Sequence, residues 1–376
     1  MNDKVRLALP PAFGLKQAGV YYALLLLMAG MGILTSLLGL PAYLTAANLG
    51  NIAYQASLVG FVGIGMTVLL IAGAFDLSVA SVAALAAAVM VGLAGRVGMP
   101  LALGAALCSA AAVGIFNALV VELAGINAFI VTLATLTAVR GLVLVMTDGR
   151  SLMVEDPQAL AQMLAIESTR IMVDLPLGLA AAGLVLFALV TARWGLAVLG
   201  AALGVLAWRM LGATVAAPVA YLAVVAAVAT VLMNQTVLGR RMQAVGSNAE
   251  AARLSGVPVR AYRIAAFVLT SMMAGVAGVL FACRLGSVNP TALSGMELTV
   301  IAAAILGGTS LYGGSGSILK TLAGAFLLFT LTNGFNILNI GANYQGIIEG
   351  AVIIVAAAIY SVGNRGAGKQ RRLGAG

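Results

Sequence analysis

Gly239-Arg240-Arg241-Met242-Gln243-Ala244-Val245-Gly246-Ser247-Asn248-Ala249-Glu250-Ala251-Ala252-Arg253-Leu254-Ser255-Gly256-Val257-Pro258-Val259-Arg260 is the longest strongly basic polar segment lying between long apolar runs. A short polar hinge between runs that can each span a bilayer marks a chain that crosses the membrane repeatedly. Arg240, Arg241, Arg253 and Arg260 stand against one acid, Glu250. Short loops rich in Arg and Lys stay on the cytoplasmic side, so this loop, residues 235–262, is expected there. Asn248 can cap a short helix over Ala249–Leu254, because its side-chain oxygen can accept an orphan amide of the first turn, and Gly256 followed by Pro258 stops it. The segment reads either as a solvated loop with one helical turn or as a docking helix for a cytoplasmic partner.

Outward from that loop, composition sets the class. The chain has 376 residues, of which 62% are hydrophobic and 8% charged, whereas soluble domains carry about a quarter of charged residues. The expected fold is an all-α integral membrane protein, a polytopic helical bundle forming one transmembrane domain over residues 1–376. Its 46 glycines and abundant alanine suit helices that approach closely in lipid, where small residues permit packing. The +9 charge balance then concerns orientation in the membrane and contact with its lipids, not nucleic acid, since no basic patch is interleaved with aromatics. Cys108 and Cys283 lie in or beside apolar runs and there is no histidine, so neither a disulfide nor a metal site is suggested. The first apolar run is long enough to span and lacks a small-residue cleavage site after it, which reads as a retained helix and not a signal peptide.

A crossing needs roughly 20 apolar residues. On that ruler the runs before the acidic loop are about 19–40, 51–73, an alanine-rich run to 95, 100–122 and 126–147. Residues 148–174 hold Asp148, Glu155, Asp156, Glu167 and Asp174 against Arg150 and Arg170, which fits an external loop. Runs at about 175–192, 196–208 and 215–233 follow, the middle one short for a crossing. After the central loop come 264–282, an exposed turn over 284–297, a run over 298–306 that breaks at Gly307–Gly316, and the runs 318–338 and 344–362. The total is about ten to twelve crossings. An even number puts the N-terminal residues 1–18, the central loop and the tail 363–376, all basic, in the cytoplasm.

Two stretches read as interrupted helices, Gly73–Ser81 in the first half and Gly307–Gly316 in the second. Irregular backbone at membrane depth is tolerated where it is buried in protein or lines a water-filled cavity, and paired interruptions point to a transport path; ordinary short surface loops are the alternative. Gly308-Thr309-Ser310-Leu311-Tyr312-Gly313-Gly314-Ser315 has the spacing of a phosphate-binding loop, but Gly314 occupies the lysine position and no strand is expected before it, so the chain is not expected to hydrolyse ATP. Ionisable residues within runs are sparse (Asp76, Glu122, Arg140, Glu297 and Glu349), too few to suggest ion coupling. Amides are more plentiful and can replace water around a polar, uncharged solute, although many such amides pack helices. The candidates for a translocation path are Asp76, Ser78, Asn117, Asn127, Thr309, Ser310, Asn333 and Asn336.

Gly65-Met66-Thr67, Phe75-Asp76-Leu77-Ser78-Val79-Ala80-Ser81, Ala128-Phe129-Ile130-Val131-Thr132-Leu133 with Arg140-Gly141, Leu238-Gly239-Arg240-Arg241 through Gly256, and Glu297 through Ser310 occur in an order that resembles the permease subunits of bacterial ATP-binding-cassette importers for monosaccharides, the ribose and xylose permease family. The resemblance extends from about residue 50 to the last run. It implies an inner-membrane pore built from two permeases, as a homodimer or with a paralogue, with cytoplasmic ATPase subunits docked on it and a periplasmic or lipoprotein binding protein delivering the sugar. It assigns Gly246, Asn248, Glu250, Ala251, Arg253, Leu254 and Gly256 to a coupling helix, and it implies no cofactor of the chain's own, since the partner uses the ATP. The extra pair of runs before the central loop looks more like the xylose branch, and Ala80 replaces the glycine usual in the Asp-Leu-Ser-Val-Gly-Ser motif. From other classes, an ion-coupled carrier or channel for a small polar solute remains the alternative, and no nucleophile and base pair suggests a membrane enzyme. The sugar itself is not readable, because the binding protein selects it.

Overall fold

A computed structural model describes residues 15–172 and 214–340, together with positions 344, 346, 347, 350, 351 and 354. The runs expected over 175–192 and 196–208, most of the last run, Glu349, the tail and the first fourteen residues lie outside the described residues. The apolar runs of the rest are helices: α1 (Leu15–Leu37), α2 (Ala46–Ile71), α3 (Val79–Val97), α4 (Met99–Leu123) and α5 (Ala128–Met146). After a short strand β1 (Leu152–Met153) come α6 (Pro157–Ser168), β2 (Arg170–Met172) and β3 (Thr214–Ala216). The second half continues with α7 (Ala217–Gln235), α8 (Val237–Ser247), α9 (Ala249–Leu254), α10 (Val259–Leu285), β4 (Ser287–Val288), α11 (Met296–Leu306) and α12 (Ile318–Ile337). Eight of these helices are long and apolar enough to cross a membrane. The chain is thus a polytopic helical membrane protein.

Local chemistry sets the helix ends. Thr45 starts α2 by accepting the Asn48 amide, Asn127 starts α5 by accepting that of Phe129, and Asp156 starts α6 by accepting that of Ala159. Each replaces a hydrogen bond that a first-turn amide cannot find within its helix. Asn248 does the same for α9, accepting from Ala251 at 3.0 Å, so the capped helix expected over Ala249–Leu254 is present. Gly256 follows at φ 79.

α2 is the axis of the bundle, buried along nearly its whole length and packed against α7, α10, α11 and α12. α3 lies between α4, α5 and α10. Its buried face is small (Ala83, Ala84, Ala86, Ala87 and Ala88), and Gly278 of α10 sits against the Ala83 carbonyl, where any side chain would collide with it. Dispersion and close backbone approach hold such a core together, because lipid tails leave little hydrophobic drive between helices. The outward faces of α1, α4, α5 and α7 expose Leu26, Ile33, Phe116, Ile130, Val145 and Val224, a surface for lipid or another protein.

Three stretches carry more structure than the sequence led us to expect. The acidic loop contains α6 and two strands, because Asp156-Pro157 is a capped helix start and Leu152–Met153 pairs antiparallel with Ser287–Val288. The stretch 284–297 is not a free exposed turn: besides that pairing, Arg140 Nη1 of α5 donates to the carbonyls of Pro290 at 2.8 Å and Ala292 at 2.9 Å. Before α9, residues read as loop form α8, an amphipathic helix that buries Gly239, Met242 and Val245 and exposes Arg240 and Arg241.

Candidate functional site

The last carbonyls of a helix have no partner within it. At the end of α2, Ala72, Gly73 and Ala74 turn back to Val68, Leu70 and Leu69. Two carbonyls remain, and distant parts of the chain satisfy them. Ile71 O accepts from the Gly314 amide at 2.9 Å, and Ala72 O from Arg263 Nε at 3.2 Å. Arg263, in the second turn of α10, also places Nη1 3.5 Å from Glu122 Oε1 near the end of α4. The Glu122 side chain is only 7% exposed, so the guanidinium is its compensation for losing water.

The end of α8 presses on the same point. A side-chain carbon on Gly246 would overlap the Ile71 carbonyl oxygen and stand 2.7 Å from the Gly314 amide nitrogen. One on Gly313 would meet the Gly246 carbonyl oxygen at 2.6 Å and Gly73 Cα at 3.0 Å. Only glycine permits this backbone-to-backbone contact, and Gly313 and Gly314 also adopt φ of 87 and 78. The two interruptions, one from each half, therefore meet each other and the start of the α9 segment at a single junction. Beyond it, α9 stands out from the bundle: Ala252 is buried, Leu254 is 78% exposed, and Glu250 and Arg253 form an exposed pair at 2.7 Å.

A polar cluster sits behind the junction. Asp76 Oδ1 accepts from the Ser78 amide at 2.7 Å and the Ser78 hydroxyl at 2.6 Å. Asn117 of α4 donates to Ser78 Oγ at 3.0 Å and approaches Asp76 Oδ2 at 3.5 Å, while Thr135 of α5 donates to Asn117 Oδ1 at 2.7 Å. The Ser271 hydroxyl of α10 faces the carboxylate without making a hydrogen bond of ordinary geometry. Asp76, Ser78, Asn117 and Ser271 are all 0% exposed. Among the described residues no cation pairs with Asp76, so neutral donors alone compensate it.

The remaining candidates lie apart. Thr309 is buried, 3.4 Å from the hydroxyl of Thr321, which is itself 2.7 Å from that of Thr67. Ser310 accepts the Tyr312 amide within the second interruption. Asn127 is exposed at the start of α5, and Asn336 is exposed near the end of α12. Asn333 exchanges two amide hydrogen bonds with Asn48, at 3.0 and 2.8 Å. That pair closes the opposite end of the bundle beside Tyr43, whose hydroxyl donates to Thr330 O at 2.7 Å. Burial pushes the Tyr43 phenol up to about 12, so it remains a donor at neutral pH.

The same end holds the roomier spaces. A cavity of about 550 Å³ opens between α2, α11 and α12, where Gln55, Ser294 and Thr299 supply polar groups among Phe281 and Phe329. A second, of about 640 Å³, lies at the start of α2 beside Glu167 and Arg170, with the Arg284 guanidinium 4.2 Å from the centre of the Tyr54 ring. Reading the sequence missed Arg263, Ile71 and Tyr54 as members of these sites. The Gly313-Gly314 pair in an apolar setting was the signal available for the junction.

The family described as branched-chain amino acid transport system / permease component matches residues 48–357. Against the ribose import permease protein of Escherichia coli (strain K12), the chain is 33% identical over 338 residues, 90% of this chain and 91% of that protein. It is 34% identical over 338 residues to the L-arabinose transport system permease protein of the same strain, covering 89% and 88%. With that strain's xylose transport system permease protein it shares 31% over 347 residues, covering 84% and 85%. These identities do not single out one sugar. No solved structure matches the chain.

Proposed function

The chain belongs to the branched-chain amino acid transport system / permease component family, and from that premise we propose that it is the membrane-spanning subunit of an ATP-binding-cassette importer for a monosaccharide of ribose, arabinose or xylose type. The observation that carries the reading is similarity over about nine-tenths of the chain to permeases of ribose and arabinose transport. It is a multi-pass protein of the bacterial inner membrane. The central loop and both termini face the cytoplasm, as the basic residues of the loop favour.

On this reading the chain supplies no ATP chemistry: the Gly308–Ser315 stretch, which has phosphate-loop spacing, has Gly314 in place of the lysine and follows the helix α11. Energy therefore enters from cytoplasmic ATPase subunits that dock on Gly246, Asn248, Glu250, Ala251, Arg253, Leu254 and Gly256. When those subunits close, they press on α9; the capped end of α2 and both interruptions lie against the neighbouring end of α8, so a displacement there reaches both halves of the bundle. Rocking of this chain against a second permease, a copy or a paralogue, then alternates access. A periplasmic or lipoprotein binding protein delivers the sugar at the opposite end. The path runs past polar groups among Asp76, Ser78, Asn117, Asn127, Thr309, Ser310, Asn333 and Asn336, in a conformation that opens the buried ones.

Reconstituting the chain with its cassette ATPase and binding protein in vesicles, and following labelled ribose, arabinose, xylose and leucine, tests the substrate class. Uptake of one of the pentoses without leucine uptake is expected. Leucine uptake without any sugar uptake would overturn the reading.

A further inference from the structure

The second interruption has a feature that the transport reading does not use. Residues 310–315 form a closed turn: the Ser310 amide donates to Ser315 O at 3.0 Å, and the Tyr312 amide to Ser310 Oγ at 3.2 Å. Gly313 and Gly314 pin the turn against Gly246 and Ser247, and the Gly314 amide ties it to the end of α2. Its tip carries Leu311, 49% exposed, and Tyr312, 96% exposed. The backbone of the turn is held by hydrogen bonds and glycine contacts, so a partner that binds its tip does not have to order the loop. Tyrosines are enriched among the residues that anchor protein interfaces.

Its position says what it faces. Ser247, which touches the turn, is the residue before Asn248, the cap of α9, whose Leu254 is 78% exposed. The intervening surface is wet and charged: the side chains of Glu250 and Arg253 are 64% and 70% exposed. A lipid interior does not accommodate that pair, so the surface lies in water, on the side where the importer reading places the ATPase.

Resting on the importer reading above, we propose that the Ser310–Ser315 turn is a second docking element for the cytoplasmic ATPase, with Tyr312 as its anchor, standing beside the α9 helix. The ATPase then grips two separate segments of the permease at once, α9 from the central loop and the turn from between α11 and α12. A push on either element is shared through the glycine contacts. The chemistry of the partner surface follows: an apolar slot for the Tyr312 ring and Leu254, rimmed by acids for Arg240, Arg241 and Arg253.

The test is a titration of the purified cassette ATPase against vesicles holding the full chain, with ATP-driven sugar uptake measured in the same vesicles. Tyr312→Ala is expected to weaken ATPase binding about tenfold or more and to lower uptake at limiting ATPase, while Tyr312→Phe retains most of both. Leu254→Ala serves as the control for α9. If Leu254→Ala weakens binding and Tyr312→Ala leaves affinity and uptake unchanged, the second docking element is wrong while the importer reading stands. If the unsubstituted chain binds no ATPase, the importer reading fails first. Loss of stable insertion into anionic lipid vesicles by Tyr312→Ala, with ATPase affinity intact, would mark the ring as a membrane contact and overturn the proposal.

Discussion

At the scale of single residues, Asp76 shows how a side chain with an evident chemical role can be occupied structurally. Its carboxylate receives two bonds from Ser78 and faces Asn117, all of them fully buried. Replacing it with alanine leaves buried donors without an acceptor, which costs roughly 2–4 kcal/mol. Asp76→Asn keeps an acceptor for Ser78 and should lose less than half as much. Thermal unfolding of the purified variants in mild detergent measures the difference. Equal losses for the two would show that the negative charge itself, not the acceptor, organises the cluster. The sequence marked Asp76 because an acid between apolar runs stands out, and it marked Asn117 as an amide. That Ser78 and Asn117 close around the carboxylate needs α4 folded back on the start of α3, which no local pattern encodes.

At the scale of elements, the junction under α9 depends on backbone contacts that a methyl group would break. Gly246→Ala places a carbon on the Ile71 carbonyl, so α8 must lift from the end of α2. We expect the variant to reach the membrane with its helices intact by circular dichroism, and to lose at least about tenfold in uptake per ATP hydrolysed, a loss corresponding to about 1.4 kcal/mol in coupling. A normal ratio of uptake to hydrolysis would mean that the contact is only packing. The elements themselves were largely legible. Long apolar runs gave the described crossings to within a few residues, and Asn248, Gly256 and Pro258 located α9, because capping and chain breaking are local chemistry. α8 was missed because its run is polar enough to read as loop; only burial of Met242 and Val245 against the bundle makes it a helix. Arg140 was noticed as a charge within a run, but its grip on Pro290 and Ala292 spans 150 residues of chain and could not be read.

At the scale of the whole molecule, the organisation is one central helix, α2, closed at both ends by remote groups. At one end Asn48 pairs with Asn333; at the other, Gly314, Arg263 and the end of α8 hold the last turn. On the proposed mechanism, a bundle tied this way would pass a displacement at the α9 side along α2 to its other end. The exposed Phe116 of α4 and Ile130 of α5 form an apolar outer surface that suits the second permease of the proposed pore. On the function proposed above, ATP hydrolysed by another protein on the α9 side drives solute through this bundle. The most direct test is labelled-sugar uptake into vesicles holding the permease, binding protein and cassette ATPase, with ionophores present to remove all ion gradients. Uptake that needs ATP and the ATPase, and persists with the gradients collapsed, is the predicted result. Uptake that proceeds without the ATPase and disappears with the ionophores would overturn that function and make the chain an ion-coupled carrier.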